Sequence, residues 1–217
     1  MSNRGILWDM DGVLVDTGEL HFQTWKSVLG EQGIQLSYES FRNTFGMVNA
    51  EILPMWFGRR LPPAEIDQIS TAKETRFREA ARGHVTALPG VRLWLEQFQR
   101  WGYRQAIASS ATEENIDLLV SELDIRRYFQ ALVSASAMPG KPDPAVFVEA
   151  ARRIGVPSPQ CVVIEDSVAG VEAARRAGMK CIAVTNTYPA AALGGAGLVV
   201  EHMESLSPEK LHAWLEG

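Results

Sequence analysis

The sequence predicts a doubly wound α/β fold, with a mainly parallel Rossmann-like sheet and an inserted all-helical cap. From residue 86 onward, short apolar runs alternate with segments of helical period, which is typical of parallel strands joined by crossover helices. Residues 18–84 contain helical patterns and no convincing strand. We therefore assign residues 1–16 and 86–217 to the core and residues 17–85 to the cap.

The first strand, near residues 5–8, ends in two carboxylates, Asp9 and Asp11, which are followed by Gly12. Open α/β sheets bind ligands at the carboxyl ends of their strands, so both acids stand where a site would form. Taken alone, the stretch also fits an ordinary polar turn. A calcium loop does not fit, because residues 13–15 are apolar where oxygen ligands would be needed.

The inserted segment contains the patterns of about four helices. Ser37 and Asn49 are placed to cap two of them, and a pair of prolines at Pro62 begins the longest. The predicted helices share helical spacing of their apolar residues and cover residues 20–33, 38–45, 49–57 and 63–82. Such a block is expected to pack against the core.

The core alternates strand and helix. Its predicted strands are residues 105–109, 131–135, 161–166, 181–185 and 197–200. Its predicted helices are residues 91–101, 113–123, 143–154, 168–177 and 208–215. This alternation places the carboxyl ends of all the strands along one edge of the sheet.

The polar residues that stand out all follow predicted strands. Ser109 and Ser110 end one strand, Lys141 follows the next, and Glu165 and Asp166 end a third. Together with the two acids after the first strand, they bring four carboxylates and an ammonium to one sheet edge. Such a cluster is costly without a ligand, and Mg²⁺ with a phosphate is the ligand pair that suits it. The sequence therefore predicts phosphoryl transfer with Mg²⁺ as the cofactor.

Each residue of this cluster has an expected role. Asp9 and Asp166 are the expected direct metal ligands, with Glu165 in or next to the metal site. Asp9 is the expected nucleophile that forms an aspartyl-phosphate, while Lys141 neutralises phosphate charge. Ser109 is expected to donate a hydrogen bond to a phosphoryl oxygen.

Asp11 is the expected general acid and base of this reaction. An alkoxide is a poor leaving group, so an acid close to the nucleophile is needed to protonate it. The same group can then act as a base and activate the water that cleaves the intermediate. One residue would therefore serve both half-reactions.

These segments resemble, in order, the four motifs of the haloacid dehalogenase-like superfamily. More narrowly, the whole chain resembles the β-phosphoglucomutase and sugar-phosphate phosphatase group, which carries a helical cap after the first motif. The resemblance implies that Asp9 is the nucleophile and Asp11 the acid/base, with the backbone carbonyl of Asp11 as a metal ligand beside Asp9 and Asp166. It also implies a cis peptide before Pro142. Asp11 argues against a dehalogenase or a phosphonatase.

The cap bears on whether the reaction is that of a phosphatase or of a mutase. His21 and Trp25 are similar to residues of the first cap helix of the mutases, and we place them with Thr17, Ser110 and Asn49 among the substrate-binding candidates. Helical packing is the alternative role for His21 and Trp25.

Three positions depart from the mutase pattern. Phe45 and Asn49 stand where a Lys and an Arg would hold a second phosphate, and Thr75 stands at a later Lys position. Four cations of the last cap helix could substitute, although their spacing favours a solvated helix face. They are Lys73, Arg76, Arg78 and Arg82.

The first hypothesis is therefore a Mg²⁺-dependent phosphatase that acts on a small phosphorylated metabolite, a sugar or polyol phosphate. The alternative is a β-phosphoglucomutase that moves phosphate between sugar positions. A third hypothesis, from another class, is a phospho-Asp receiver that binds partners. A positioned hydrolytic base at Asp11 counts against such a switch.

The overall composition argues against several classes of protein and of binding partner. The 217 residues are 46% hydrophobic and 22% charged, so neither disorder nor a fibre is indicated. A net charge of -5 argues against nucleic acid or anionic membranes as partners. Cys161 and Cys181 lie in apolar runs and are expected to be buried, reduced thiols. The absence of a long apolar run predicts a cytoplasmic protein, which we expect to be a monomer or a weak dimer.

Overall fold

The residues described by the computed structural model, 4–216, form a six-stranded sheet in which every strand pairing is parallel. The strands are β1 (Gly5–Trp8), β2 (Arg104–Ser109), β3 (Ala131–Ser134), β4 (Cys161–Glu165), β5 (Lys180–Val184) and β6 (Leu198–Val200). Their order across the sheet is β3-β2-β1-β4-β5-β6. The predicted doubly wound α/β fold is thus confirmed, with the strand order of Rossmann sheets.

Helices cover both the insertion and the faces of the sheet. The insertion carries α1 (Gly18–Glu31), α2 (Tyr38–Arg42), α3 (Asn49–Phe57) and α4 (Pro63–Ala81). The remaining α-helices are α5 (Val91–Arg100), α6 (Glu113–Glu122), α7 (Ala145–Arg153), α8 (Val168–Arg176) and α9 (Pro208–Glu216). The predicted order of helices and strands is confirmed.

Two helix ends in the insertion differ from the prediction. Ser37 caps α2 as expected, by accepting the N–H of Ser40, but α2 ends at Arg42. After Arg42 the backbone hydrogen bonds tighten to i→i−3 spacing, from the N–H groups of Thr44 and Phe45 to the carbonyls of Phe41 and Arg42. Asn49 is the first residue of α3 rather than its cap, so its side chain is available for other contacts.

The central strand β1 determines where a site forms. It pairs with β2 on one side and with β4 on the other. The strand order reverses its direction here, which opens a crevice outside the carboxyl ends of β1 and β4. Asp9 directly follows β1, Glu165 ends β4 and Asp166 comes next. The fold therefore brings the carboxylates of two distant segments to one crevice.

The apolar side chains form a separate cluster on each face of the sheet. Trp8 of β1 packs with Trp94 and Phe98 of α5 on one face. Leu7, which points the opposite way, belongs with Phe147 of α7 to the cluster on the other face. All five side chains are fully buried, so both faces of the central strand are covered.

A third apolar cluster lies within the insertion, between residues 22 and 69, and includes Trp25 and Leu53. The insertion also contacts the core, because Phe77 of α4 belongs to one core cluster and Val48 to the other. The helical cap is thus confirmed as an element of the fold. Its boundaries as a separate domain remain a prediction.

The two thiols agree with expectation. Cys161 and Cys181 are buried and free, and burial raises the pKa of Cys161 to about 12. Among residues 4–216, no helix combines the length and the hydropathy that crossing a bilayer would require.

The packing of Phe98 gives a prediction about stability. This fully buried ring contacts Trp8, Trp94, Trp101 and Tyr103 at centroid distances of 5.4–5.9 Å. Phe98→Ala should lower the free energy of unfolding by about 3–5 kcal/mol, because it removes this contact area and leaves a cavity. Urea unfolding followed by circular dichroism measures the change.

Leu93, on the same helix, is the matched control because its side chain is 55% exposed. Leu93→Ala should change the free energy of unfolding by at most about 0.5 kcal/mol. Equal losses for the two variants would contradict the assignment of Phe98 to the core.

Candidate active site

The crevice is organised around one buried ammonium group. Nζ of Lys141 lies 2.6 Å from Oδ1 of Asp9 and 2.6 Å from Oε1 of Glu165. All three side chains are at least nine-tenths buried. Lys141 thereby ties the end of β1 to the end of β4. The peptide between Lys141 and Pro142 is cis, as the resemblance implies.

Glu165 is held on both of its oxygens. Oε1 accepts from Lys141, and Oε2 accepts from the backbone N–H groups of Asp166 and Ser167, each at 2.7 Å. The hydroxyl of Ser167 also donates to Oε2 at 2.9 Å. Because these partners occupy both oxygens, Glu165 fits a position beside a metal better than a direct ligand.

Asp9, Glu165 and Asp166 offer carboxylate oxygens that all lie within 4.8 Å of one another. Hard oxygen donors at this spacing suit Mg²⁺. The backbone leaves room for them at Gly12, whose φ is +80° and where a Cβ would lie 1.9 Å from Oδ2 of Asp166. The residues present thus fit the expected magnesium site. The hydroxyl of Thr187 donates to Asp166.

Charge in this cluster is not balanced by protein groups alone. Burial, opposed by Lys141 and assisted by Glu165, raises the pKa of Asp9 to about 7. Burial and the charges of Glu165 and Asp9 also raise the pKa of Asp166. Burial alone would lower the pKa of Lys141, but the two carboxylates outweigh it and hold the ammonium charged. Three buried carboxylates around one ammonium therefore favour an added cation.

Asp11 faces away from the carboxylate cluster and towards the cap. Its Oδ1 accepts a hydrogen bond from the hydroxyl of Thr17 and lies 3.4 Å from Nε2 of His21. Burial would raise the pKa of Asp11, but the hydrogen bonds and charges on this side outweigh it and lower the pKa. Its side chain is outside the metal-binding group, so its assignment as a metal ligand rests on its backbone carbonyl and stays a prediction.

Lys73 corrects the expectation that the cations of α4 lie on a solvated face. It is 1% exposed, with Nζ 2.6 Å from Nδ1 of His21 and 3.0 Å from both oxygens of Glu74. An ammonium can only donate, so it donates to Nδ1 of His21 and leaves Nε2 facing Asp11. The position at which the resemblance expects a lysine is occupied by Thr75, which is exposed. On this helix it is Lys73 that carries a buried ammonium.

Arg76 and Arg78 of α4 and Arg82, which directly follows it, differ in placement. Arg76 is partly exposed and pairs with Glu31 at 2.8 Å, and Arg82 is exposed, in agreement with the prediction. Arg78 instead donates to the amide oxygen of Asn115 on α6 at 3.0 Å. It therefore joins the insertion to the core.

The two serines after β2 have different environments. Ser109 is 1% exposed, and its hydroxyl accepts the N–H of Ala111 at 3.1 Å. The hydroxyl oxygen of Ser110 is buried and has no hydrogen-bond partner. Both therefore lie at the sheet edge, where the sequence placed them.

A cavity of about 390 Å³ lies between the insertion and this edge of the sheet. The predicted residues that line it are Asp11, His21, Trp25, Asn49 and Ser110. Thr17 is not among its lining residues, because it is fully buried against Asp11. Lys73 and Phe45 also face the cavity.

Sequence reasoning missed the polar network that joins α3, α4 and α6. Glu74 accepts from the amide nitrogens of Asn49 at 2.7 Å and Asn115 at 2.6 Å, and it is 6% exposed. A charged residue in a lysine- and arginine-rich helix gives no signal of burial. Only the packing of α4 against α6 reveals it.

Comparison with known proteins agrees with this geometry. Residues 6–184 match the haloacid dehalogenase-like hydrolase family. The chain belongs to this family. Its relatives within the family include both phosphatases and mutases, as the resemblance indicated.

Two curated relatives of this haloacid dehalogenase-like hydrolase are similar over most of their length. The fructose-1-phosphate phosphatase YqaB of Escherichia coli is 33% identical over 189 residues, which cover 83% of this chain and 95% of that protein. The β-phosphoglucomutase of Bacillus subtilis is 29% identical over 221 residues, which cover 96% and 94%. A third, the chloroplastic protein SUPPRESSOR OF QUENCHING 1 of Arabidopsis thaliana, is 34% identical, but the match spans 19% of its length.

A solved structure confirms the fold of this protein. The crystal structure of β-phosphoglucomutase from Clostridium difficile superposes with a TM-score of 0.89 at 23% identity, over 98% of this chain and 97% of that one. At this level of identity the similarity establishes the architecture of sheet and helical cap.

The carboxylate cluster gives a prediction about metal binding. Mg²⁺ should raise the melting temperature relative to EDTA, by the equivalent of about 2.7 kcal/mol at 100 times its dissociation constant. Asp166→Asn should abolish this shift, because it removes the carboxylate of the cluster that Lys141 does not contact. Differential scanning calorimetry in both buffers measures it without any assay of activity.

Asp117, exposed on α6, is the matched control. Asp117→Asn makes the same chemical change outside the site and should keep the full shift. A full magnesium shift in Asp166→Asn would remove that residue from the metal site.

Proposed function

We propose that this protein is a Mg²⁺-dependent phosphatase that hydrolyses a small phosphorylated metabolite, a sugar or polyol phosphate, through an aspartyl-phosphate. The observation that carries the proposal is the buried bridge from Asp9 through Lys141 to Glu165, with Asp11 beside it and facing the cavity. This arrangement provides a nucleophile, a cation for phosphate charge and a separate acid/base.

Different residues at the sheet edge would bind the metal ion and the phosphate. Asp9, Asp166 and the backbone carbonyl of Asp11 would hold Mg²⁺, which supplies positive charge to the phosphate when it is bound. Lys141 neutralises further phosphate charge, and Ser109 donates a hydrogen bond to a phosphoryl oxygen. Their burial excludes water from the reacting group.

The reaction proceeds in two half-reactions. A carboxylate oxygen of Asp9 attacks phosphorus, the bond from phosphorus to the ester oxygen breaks, and Asp11 gives to the leaving alkoxide the proton that it took from water in the preceding turnover. In the second half, Asp11 takes a proton from water, whose oxygen attacks phosphorus and releases Asp9 and inorganic phosphate. His21, held by Lys73, positions Asp11 for both transfers.

The charges of the cavity favour the phosphatase over the mutase. A bisphosphate intermediate needs cations for its second phosphate. Lys73 is already paired with Glu74, Arg78 donates to Asn115, and Phe45 occupies a position where the mutases have a cation. The similarity to a fructose-1-phosphate phosphatase supports the same choice.

The mutase remains the second candidate for two reasons. His21, which is similar to a residue of the mutases' first cap helix, contacts a cap lysine, Lys73, and the chain is similar to the Bacillus subtilis β-phosphoglucomutase. A phospho-Asp receiver is disfavoured, since Asp11 stands where a base would shorten the lifetime of the phosphorylated state. We further propose that the partner is a small phosphorylated substrate rather than nucleic acid or membrane, and that the protein is a cytoplasmic monomer or weak dimer.

Replacement of the nucleophile tests the covalent mechanism. Asp9→Asn should reduce phosphate release by at least about 10⁴-fold, because the amide cannot attack phosphorus. Circular dichroism should show an unchanged fold. Asp16→Asn, which alters an exposed residue of the same segment, should stay within a few-fold of the wild-type rate. Retained turnover in Asp9→Asn would exclude this mechanism.

Replacement of Asp11 tests the acid/base role. With p-nitrophenyl phosphate, whose leaving group needs no proton, Asp11→Asn should still form the aspartyl-phosphate but break it down about 10²–10⁴-fold more slowly. Stopped-flow absorbance should then show a burst of p-nitrophenol that the wild type lacks. Unchanged steady-state rates would show that another group activates the water.

A substrate panel distinguishes the two candidate reactions. Phosphate release with Mg²⁺ is measured for sugar, polyol and glycolate phosphates, and β-glucose 1-phosphate is assayed in parallel for conversion to glucose 6-phosphate. We expect release of phosphate from one class without isomerised sugar. Glucose 6-phosphate with little free phosphate would instead identify a mutase.

A further inference from the structure

The cavity contains buried polar atoms that lack partners. Among the residues that the structure describes, three buried side-chain polar atoms make no hydrogen bond: Nε1 of Trp56, Oγ of Ser70 and Oγ of Ser110. All three residues line the same cavity. Buried polar groups are rarely left unpaired, because the loss of their hydrogen bonds to water is costly. A polar ligand that occupies this cavity can satisfy all three atoms.

These atoms belong to two ends of the cavity. Ser110 follows β2 at the sheet edge, where the transferred phosphate would lie. Trp56 is on α3 and Ser70 on α4, so their groups belong to the end of the cavity formed by the insertion, which we call the cap end. A ligand that satisfies all three must extend from the sheet edge to the cap end.

The unpaired polar groups of the cap end are neutral. An indole N–H donates one hydrogen bond and accepts none, while a hydroxyl both donates and accepts. Trp56 therefore requires an oxygen acceptor, and Ser70 accommodates either a donor or an acceptor. The ring of Trp25 packs against that of Trp56 at 5.1 Å and fixes its orientation. The hydroxyl groups of a sugar or polyol suit both atoms: one can accept from Trp56, and another can bond to Ser70.

The charged groups of the cavity do not favour an anion at the cap end. Among the described lining residues, the lysine and arginine side chains are Lys73 and Arg78, and the structure engages both, with Glu74 and Asn115 respectively. Asp67 and Glu74 add negative charge to the same lining. A second phosphate would meet these carboxylates without an unengaged cation to offset them.

We infer that the cap end is a hydroxyl-binding subsite, in which Nε1 of Trp56 donates to one hydroxyl of the substrate and Oγ of Ser70 bonds to another. The substrate class is then the monophosphates of sugars or polyols whose uncharged carbon chain reaches α3 and α4. This inference rests on the proposed function, which places the phosphate at Asp9. The cavity of about 390 Å³ is within the usual size of small-molecule sites.

Two variants test the subsite. Trp56→Phe keeps an aromatic ring and removes the N–H, while Ser70→Ala removes only the hydroxyl. With Mg²⁺, each should lower kcat/KM for six-carbon monophosphates such as sorbitol 6-phosphate by about tenfold, the effect of one buried hydrogen bond. Glycolate 2-phosphate is too short to reach the cap end, so its loss should be at most about twofold.

Trp214→Phe is the matched control, because Trp214 on α9 does not line the cavity. It should leave both substrates unaffected. Thermal unfolding checks that each variant is folded. If Trp56→Phe is unstable, the kinetics of Ser70→Ala alone decide the outcome. Equal losses for the short and long substrates, or no loss for either, would overturn the subsite.

Binding to the inactive Asp9→Asn variant provides a second measurement. Isothermal titration with Mg²⁺ compares sorbitol 6-phosphate with sorbitol 1,6-bisphosphate and with glycolate 2-phosphate. The monophosphate of the long chain should bind most tightly, and the second phosphate should weaken binding by about tenfold or more. Tighter binding of the bisphosphate would overturn the inference.

The two measurements separate failure of the subsite from failure of the proposed function. If the wild type releases no phosphate from any member of the panel, the phosphatase proposal fails. The titrations still test the subsite in that case, since they need no turnover. If phosphate is released but Trp56→Phe and Ser70→Ala do not discriminate by chain length, the phosphatase stands and the subsite is rejected.

Discussion

The buried bridge of Lys141 between Asp9 and Glu165 is the interaction on which the rest of the structure depends. It joins the ends of two adjacent strands at the point where the strand order reverses. Loss of the ammonium would leave two buried carboxylates unpaired, which typically costs about 3–5 kcal/mol. Asp166 adds a third carboxylate that Lys141 does not contact, and a divalent cation fits that remaining charge.

Contacts between the insertion and the core determine the shape of the cavity. Glu51 of α3 accepts the N–H of Gly140 at 3.0 Å, immediately before Lys141. On the other side, Asn115 of α6 bridges Glu74 and Arg78 of α4. The insertion is thus held to the sheet edge on two sides. The first of these contacts is next to Lys141 in the chain, so it fixes α3 beside that lysine.

The cavity divides chemically along its length. Asp11 and Ser110 line it at the sheet edge, beside the buried carboxylates that we propose to bind metal and phosphate, whereas the unpaired groups of Trp56 and Ser70 at the cap end are neutral. Lys73, on α4, directs its ammonium towards His21 and Glu74. In the proposed function, this pairing leaves the lysine unavailable to a second phosphate.

The sequence by itself determined the sheet, the helical insertion and the carboxylates at the strand ends, because apolar periodicity and strand-end position depend on local chain geometry. Tertiary structure alone decided which way the cap side chains face. The spacing of Lys73 with three nearby arginines predicts a solvated helix face, yet the packing of α4 on α1 and α6 buries Lys73 together with Glu74. Trp56 and Ser70 have no distinguishing pattern in the sequence. Their unpaired atoms meet in one cavity only when distant helices pack together.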